Sequence, residues 1–113
     1  MHEMSLTRSM VGIIEGQAAT HGFQRVSRVR LEIGELSCVD PEALTFCFDA
    51  ATRDTVAEGA TLAILTVPGQ AWCRDCDMAV PIGQRGEPCP RCGDYRLQIR
   101  AGDEIRIKDL EVD

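Results

Sequence analysis

The spacing of apolar residues near the start of the chain predicts an amphipathic helix over Ser5–Thr20. The apolar residues that recur at a helical spacing of four are Met10, Ile14 and Ala18. Ser5 belongs to the residue types that cap helix N-termini, and Gly22 suits the left-handed conformation that ends a helix. His21, in the last predicted turn, is favoured by the helix dipole. The pattern therefore predicts a first helix that begins at Ser5 and ends before Gly22.

A second helix is predicted from Asp40 to about Asp54. Asp40 and Pro41 are typical of the N-cap and the first helical position, and an acidic residue follows in the first turn. The apolar stripe of this helix consists of Leu44, Cys47, Phe48 and Ala51. We therefore expect Cys47 to be a small buried apolar group.

Alternation of apolar and charged residues predicts the strands. In Arg25–Gly34 the apolar positions alternate with arginine and glutamate, which is typical of a sheet with one buried face. Ala60–Val67 is apolar almost throughout, which predicts a central or well-covered strand. Two further strands are predicted at Arg96–Arg100 and Glu104–Val112.

The order helix, strand, helix, strand, cysteine-rich segment, strand predicts an α+β fold. We expect a small three-stranded sheet with two helices, plus an inserted zinc-ribbon-like module built on four cysteines. Residues 1–69 and 101–113 are predicted to form the α+β domain, and residues 70–100 the inserted module. A three-stranded sheet leaves a free edge to which another copy of the chain can add, so a homodimer is one of the open assemblies.

Composition narrows the class of function. The chain has 113 residues, and 12 basic against 18 acidic residues give a formal charge of −6. That charge argues against nucleic-acid binding, which relies on a basic surface. No run approaches the roughly 18 to 20 apolar residues of a membrane span, and the N-terminus has no signal-peptide pattern. We therefore expect a cytoplasmic protein with no nucleic-acid or membrane partner, whose cysteines stay reduced.

Four of the six cysteines form two Cys-x-x-Cys pairs with twelve residues between them. The pairs are Cys73 with Cys76 and Cys89 with Cys92. Two such pairs provide the four thiolates that tetrahedral zinc binds at about 2.3 Å, and closed four-sulfur sites are usually structural. Disulfides or a redox pair are the alternatives. A thiol oxidoreductase, however, needs one pair at a helix N-terminus with a lowered thiol pKa rather than two pairs in Gly/Pro-rich turns.

The segment Met1-His2-Glu3 is a second candidate for metal chemistry. A terminal amine, the intervening amide nitrogen and the His2 imidazole form fused chelate rings suited to Ni(II) or Cu(II). Glu3 adds a carboxylate. The alternative is a frayed terminus with incidental polar residues.

These motifs together resemble one protein family. They are Met1-His2-Glu3-Met4-Ser5-Leu6, the stretch from Val29 to Gly34-Glu35-Leu36-Ser37, Phe46-Cys47-Phe48-Asp49 and the paired Cys-x-x-Cys. In this order and at this length, the chain resembles the HypA/HybF family of nickel-insertion accessory proteins for NiFe-hydrogenase maturation.

The resemblance implies a metallochaperone and not an enzyme. It implies nickel, as transferred cargo, on His2 as principal ligand, assisted by Glu3 and the Met1 terminal amine, with Asp40 as an additional carboxylate. It also implies structural zinc on the four paired cysteines. The implied partners are a HypB-type GTPase and the hydrogenase large-subunit precursor.

Some features leave a different function open. A zinc-ribbon module that binds protein or nucleic acid without nickel transfer is supported by the arginines of the cysteine segment, Arg74, Arg85, Arg91 and Arg96. The net charge of −6 counts against it. No histidine lies beside the zinc cysteines, which argues against a zinc ligand exchange with histidine and against a urease-directed role that depends on it.

Overall fold

The computed structural model describes residues 2–113, and within them the chain forms two helices and two three-stranded sheets. In chain order the elements are α1 (Glu3–His21), β1 (Val26–Gly34), α2 (Pro41–Ala51), β2 (Thr61–Val67), β3 (Gln70–Cys73), β4 (Met78–Pro81), β5 (Leu97–Ala101) and β6 (Ile105–Val112). The first sheet has the order β2-β1-β6 and the second β4-β3-β5. The predicted α+β fold with a cysteine-containing module is confirmed.

Helix α1 begins two residues earlier than its apolar pattern predicts. The prediction that Ser5 is the N-cap is wrong, because the helix starts at Glu3 and the N-cap is His2. The Leu6 N–H donates to the His2 carbonyl at 2.9 Å. The buried face of the helix extends beyond the apolar stripe through two polar residues, Glu3 and Thr7. The predicted C-terminus is confirmed, since Gly22 has φ 78° and its N–H donates to the Ala18 carbonyl.

Helix α2 starts as predicted. The Asp40 side chain accepts a hydrogen bond from the Glu42 N–H at 3.0 Å, and Pro41 is the first helical residue. The helix ends at Ala51, and turns rather than helix continue to Gly59. Leu44 and Phe48 are fully buried, and α2 packs against α1. Cys47, expected to be buried, is only half-buried.

In the first sheet β1 is the central strand. The Arg30 guanidinium of β1 donates to Asp109 of β6, with a 2.6 Å distance from its Nε to Asp109 Oδ1. Strand β2, predicted to be central or well covered, lies at an edge and is half-buried to exposed along its length. The prediction is wrong because the absence of charged residues from a strand does not determine whether one or two other strands pair with it.

The second sheet contains two strands that the sequence pattern did not predict. Strand β3 pairs antiparallel with β4, from Gln70 opposite Pro81 to Cys73 opposite Met78. It also pairs antiparallel with β5, with an irregularity between Gln70 and Ala71. The strand predicted at Arg96–Arg100 is therefore β5, and it belongs to this sheet.

Three glycines meet where the chain enters and leaves the second sheet. A Cβ on Gly34 would lie 2.1 Å from the Gly102 carbonyl oxygen, and one on Gly102 would lie 2.6 Å from the Gly69 Cα. Backbone here packs directly on backbone, which only glycine permits. Gly69 also donates its N–H to the Glu35 carboxylate at 2.9 Å.

Contacts divide the chain into two compact units. One comprises the chain up to Leu31, Val39–Ile64 and Ile107–Asp113, and the other comprises Glu32–Cys38 and Leu65–Arg106. The first contains both helices. The second contains all four paired cysteines and the sheet β4-β3-β5. The predicted division into domains of residues 1–69 with 101–113, and 70–100, stays a prediction.

Candidate metal centre

The four paired cysteines lie on two tight turns. Cys73 is the last residue of β3, and the first turn runs from there to Met78, with Asp77 at φ 53°. In the second turn the Cys89 N–H donates to the Asp94 carbonyl at 2.8 Å. The Arg91 N–H points at the Cys89 sulfur, 3.4 Å away. Each turn therefore presents its two sulfurs on one side.

The four sulfur atoms all lie within 4.8 Å of one another. The Sγ atoms of Cys73 and Cys92 are 3.5 Å apart, and those of Cys76 and Cys89 are 3.9 Å apart. Four sulfurs at about 2.3 Å from a tetrahedral zinc are separated by about 3.8 Å. The predicted ligands are thus brought together at the spacing that a tetrahedral thiolate site requires.

The surroundings of the sulfurs differ between the two turns. The backbone N–H groups of Cys92 and Arg91 lower the pKa of Cys89 to about 7, against the effect of its burial. Burial and the three neighbouring thiols raise the pKa of Cys76 to about 12. A metal cation favours all four thiolates at once, so binding of zinc here releases protons.

Beside the cysteines is a carboxylate–guanidinium cluster that the sequence analysis missed. Asp94 accepts hydrogen bonds from the Arg96 N–H at 2.9 Å and from its guanidinium at 3.0 Å, and Arg96 also lies 3.8 Å from Asp75. The Arg96 guanidinium holds the pKa of Asp94 well below its usual range, while the hydrogen bond to Asp94 raises the pKa of Asp75. The cluster links the two turns. The sequence signal for this cluster was the position of its two acidic residues: Asp75 lies within the first Cys-x-x-Cys pair, and Asp94 lies two residues after the second.

The N-terminal candidates lie at the start of α1. His2 is exposed at the N-cap, and the Met1 terminal amine lies outside the described residues. Glu3 is only 5% exposed, and its carboxylate accepts the Asp40 N–H at 3.5 Å. Hydrogen bonding from its own backbone N–H, followed by that from Asp40, lowers the Glu3 pKa against the effect of burial. The structure therefore brings Glu3 to the first residues of α2, where Asp40 is exposed.

The chain has one further histidine and one further exposed thiol outside these two groups of residues. His21 is exposed at the other end of α1, and Cys38 is an exposed thiol in a loop with φ 61°. Neither α1 nor α2, the helices of residues 2–113, is long and apolar enough to cross a membrane.

Comparison with known proteins gives consistent matches over the whole chain. A family model described as "Hydrogenase/urease nickel incorporation, metallochaperone, hypA" matches residues 1–112. The chain is 53% identical over 113 residues to hydrogenase maturation factor HypA of Azotobacter chroococcum mcd 1. It is 54% identical to that of Rhodopseudomonas palustris (strain BisA53), and each alignment covers 100% of both chains.

Two solved structures have the same fold. The solution structure of the Ni metallochaperone HypA from Helicobacter pylori superposes with a TM-score of 0.72 at 24% identity, covering 99% of this chain and 97% of that one. A second solution structure of a HypA protein gives a TM-score of 0.73 at 27% identity, with coverage of 99% and 96%.

Proposed function

Because this chain belongs to the HypA family of metallochaperones that incorporate nickel during hydrogenase maturation, we propose that it binds Ni(II) through its N-terminal segment. The His2 imidazole is the principal ligand. The Met1 terminal amine, Glu3 and Asp40 are the further donors. The chain carries nickel as cargo for the hydrogenase large-subunit precursor and performs no catalytic turnover.

The attachment of these residues to helices supports the nickel proposal. His2 is joined directly to α1, and the Glu3–Asp40 hydrogen bond fixes the start of α1 against the start of α2. Asp40 is exposed, so its carboxylate is accessible to a metal even though one oxygen caps α2. Nitrogen and oxygen donors of this kind suit Ni(II). The exposure of His2 and Asp40 also allows release, which a carrier requires.

We propose that Cys73, Cys76, Cys89 and Cys92 bind structural zinc. The separations of 3.5 and 3.9 Å between sulfur atoms carry this proposal, because they match the edge of a tetrahedral thiolate site. Four protein ligands leave no open position, so the zinc stabilises the module and takes no part in nickel transfer. In model peptides structural zinc contributes on the order of 10–16 kcal/mol to folding.

The test of the nickel site is metal titration of untagged protein. His2→Ala is expected to abolish stoichiometric nickel binding while about one zinc per chain remains, because the cysteine site and the proposed nickel site have no donor residue in common. His21→Ala is the matched control, since it removes the other histidine of the chain from the far end of the same helix. Isothermal calorimetry gives the nickel stoichiometry and elemental analysis the zinc content. If the His2→Ala protein binds nickel as the wild type does, the N-terminal assignment is wrong.

We further propose a HypB-type GTPase as the direct partner and the cytoplasm as the location, where reduced thiols remain available to zinc.

We also propose that the chain can associate with a second copy of itself. Strand β2 is an edge strand without a charged residue from Thr61 to Val67, and natural edges are usually guarded by charge. A second copy of the chain could therefore extend the first sheet at this edge. Sedimentation of the protein over a range of concentrations measures the dimer directly.

A further inference from the structure

Helix α2 exposes a phenylalanine on an otherwise well-anchored helix. The side chain of Phe46 is 72% exposed, whereas Leu44 and Phe48, two residues to either side, are fully buried. Fraying of the helix therefore does not explain the exposure. A phenylalanine side chain has no polar atom that could form a hydrogen bond with water. Aromatic residues, phenylalanine included, are enriched at protein interfaces relative to the rest of the surface.

The residues around Phe46 on the same helix face are acidic. Helical spacing places Glu42 one turn before Phe46 and Asp49 one turn after it, and both are exposed. Helix α2 contains no lysine or arginine; the next basic residue, Arg53, lies beyond its end. Among the described residues 2–113, no ion pair involves Glu42 or Asp49. The ring is therefore bordered by two carboxylates whose charge the chain itself does not neutralise.

This face begins at the proposed nickel donors. Asp40 caps α2, and its N–H is bonded to Glu3. Phe46 lies six residues further along, which is about 9 Å of helix. A protein bound over Phe46 would thus be held next to the segment that carries the cargo.

We propose that Phe46, Glu42 and Asp49 form the docking surface for the GTPase, which would receive the ring in an apolar pocket bordered by arginine or lysine side chains. The identity of the partner rests on the proposed function; the surface and its chemistry rest on the exposure of Phe46 and the two unpaired carboxylates. The ring supplies the desolvated centre of the contact. The carboxylates accelerate encounter and orient the partner.

The test measures binding of purified HypB-type GTPase from the same organism to the zinc-loaded protein by biolayer interferometry. Phe46→Ala is expected to weaken binding at least tenfold, mainly through faster dissociation, as loss of a central apolar anchor does. The double variant Glu42→Gln/Asp49→Asn is expected to slow association at low salt and to flatten its dependence on ionic strength. The nickel stoichiometry of both variants should match the wild type, because neither removes a metal donor. Their unfolding midpoints should also be close to the wild type, because the substituted side chains are exposed.

Ile13→Ala is the matched control. Ile13 is 56% exposed on α1, so the variant removes an exposed apolar side chain elsewhere on the same unit, and its Kd should stay within twofold of the wild type. If the wild-type protein binds the GTPase and the Kd of Phe46→Ala stays within twofold of the wild-type Kd, the docking surface is wrong but the GTPase partnership stands. Equal weakening by Ile13→Ala also overturns the docking surface. Failure of the wild-type protein to bind the GTPase overturns both the partnership and this surface.

Discussion

Replacing Gly34 by alanine tests whether direct backbone packing holds the second unit together. The new methyl group would lie 2.1 Å from the Gly102 carbonyl oxygen and 2.8 Å from the Asp103 nitrogen. Those atoms are backbone, so the clash can be relieved only by moving the chain. The movement would strain two hydrogen bonds at the same place, from Gly34 N to Glu104 O at 2.8 Å and from Leu36 N to Gly102 O at 2.7 Å.

The magnitude follows from these two effects. Overpacking typically costs about 1–3 kcal/mol, and each weakened hydrogen bond up to about 1 kcal/mol. We therefore expect Gly34→Ala to lower the free energy of unfolding by about 3 kcal/mol. For a chain of this length, that corresponds to a fall in Tm of roughly 12 °C.

The assay is urea and thermal unfolding of zinc-loaded protein followed by circular dichroism. Gly12→Ala is the matched control, because a Cβ there would meet nothing within 4 Å and the residue lies inside α1. Alanine should stabilise that helix by about 0.5–1 kcal/mol. The reasoning is refuted if Gly34→Ala unfolds within about 0.5 kcal/mol of the wild type, the upper limit for an ordinary surface substitution, or if both variants shift stability in the same direction.

Two further predictions concern the cysteine site. Asp94→Asn should speed the loss of zinc to a chelator several-fold, because a neutral amide holds Arg96 less firmly. The control is Asp77→Asn, which changes an exposed turn residue and should leave the rate of zinc loss unchanged. Equal rates of zinc loss from the two variants would exclude a role for the Asp94 carboxylate. Zinc uptake by metal-free protein at pH 7 should release more than one proton per zinc, because Cys76, with its pKa raised to about 12, is protonated beforehand and Cys89, with its pKa lowered to about 7, is partly protonated. Zinc affinity should accordingly fall as the pH falls through 7, and calorimetry in buffers of different ionisation enthalpy measures the proton count.

Sequence reasoning succeeded where chemistry is local. The four-cysteine cluster and the Asp40 cap depend on residue types at fixed short spacings, so both were predictable without knowledge of the fold. The start of α1 was missed because Glu3 and Thr7 are polar yet buried. Their burial depends on partners that the helix alone does not reveal, such as the Asp40 N–H, 37 positions away.

Strands were predicted less well than helices. Strands β3 and β4 have four residues each, too few to show a period of two, and their pairing is set by the turn that also carries two cysteines. The position of β2 at a sheet edge depends on strand order, which is a property of the whole chain. The exposure of Phe46 does agree with the helical period, because the apolar stripe of Leu44, Cys47, Phe48 and Ala51 leaves Phe46 on another face of α2.

The order of strands also determines when the protein can finish folding during synthesis. Strand β6 is the last element of the chain, and it pairs with β1: the Ser27 hydroxyl donates to the Glu111 carbonyl, 84 residues away. Contacts of such long sequence separation form slowly. The contact between Gly69 and Gly102 brings together the two ends of the segment that contains β3, β4 and β5. Once this contact has formed, the chain between β1 and β6 is effectively shorter, so less conformational entropy is lost when these two strands pair. A chain whose second unit has not closed would therefore keep the central strand β1 unpaired on one side for longer, so folding of the second unit limits how quickly the first sheet is completed.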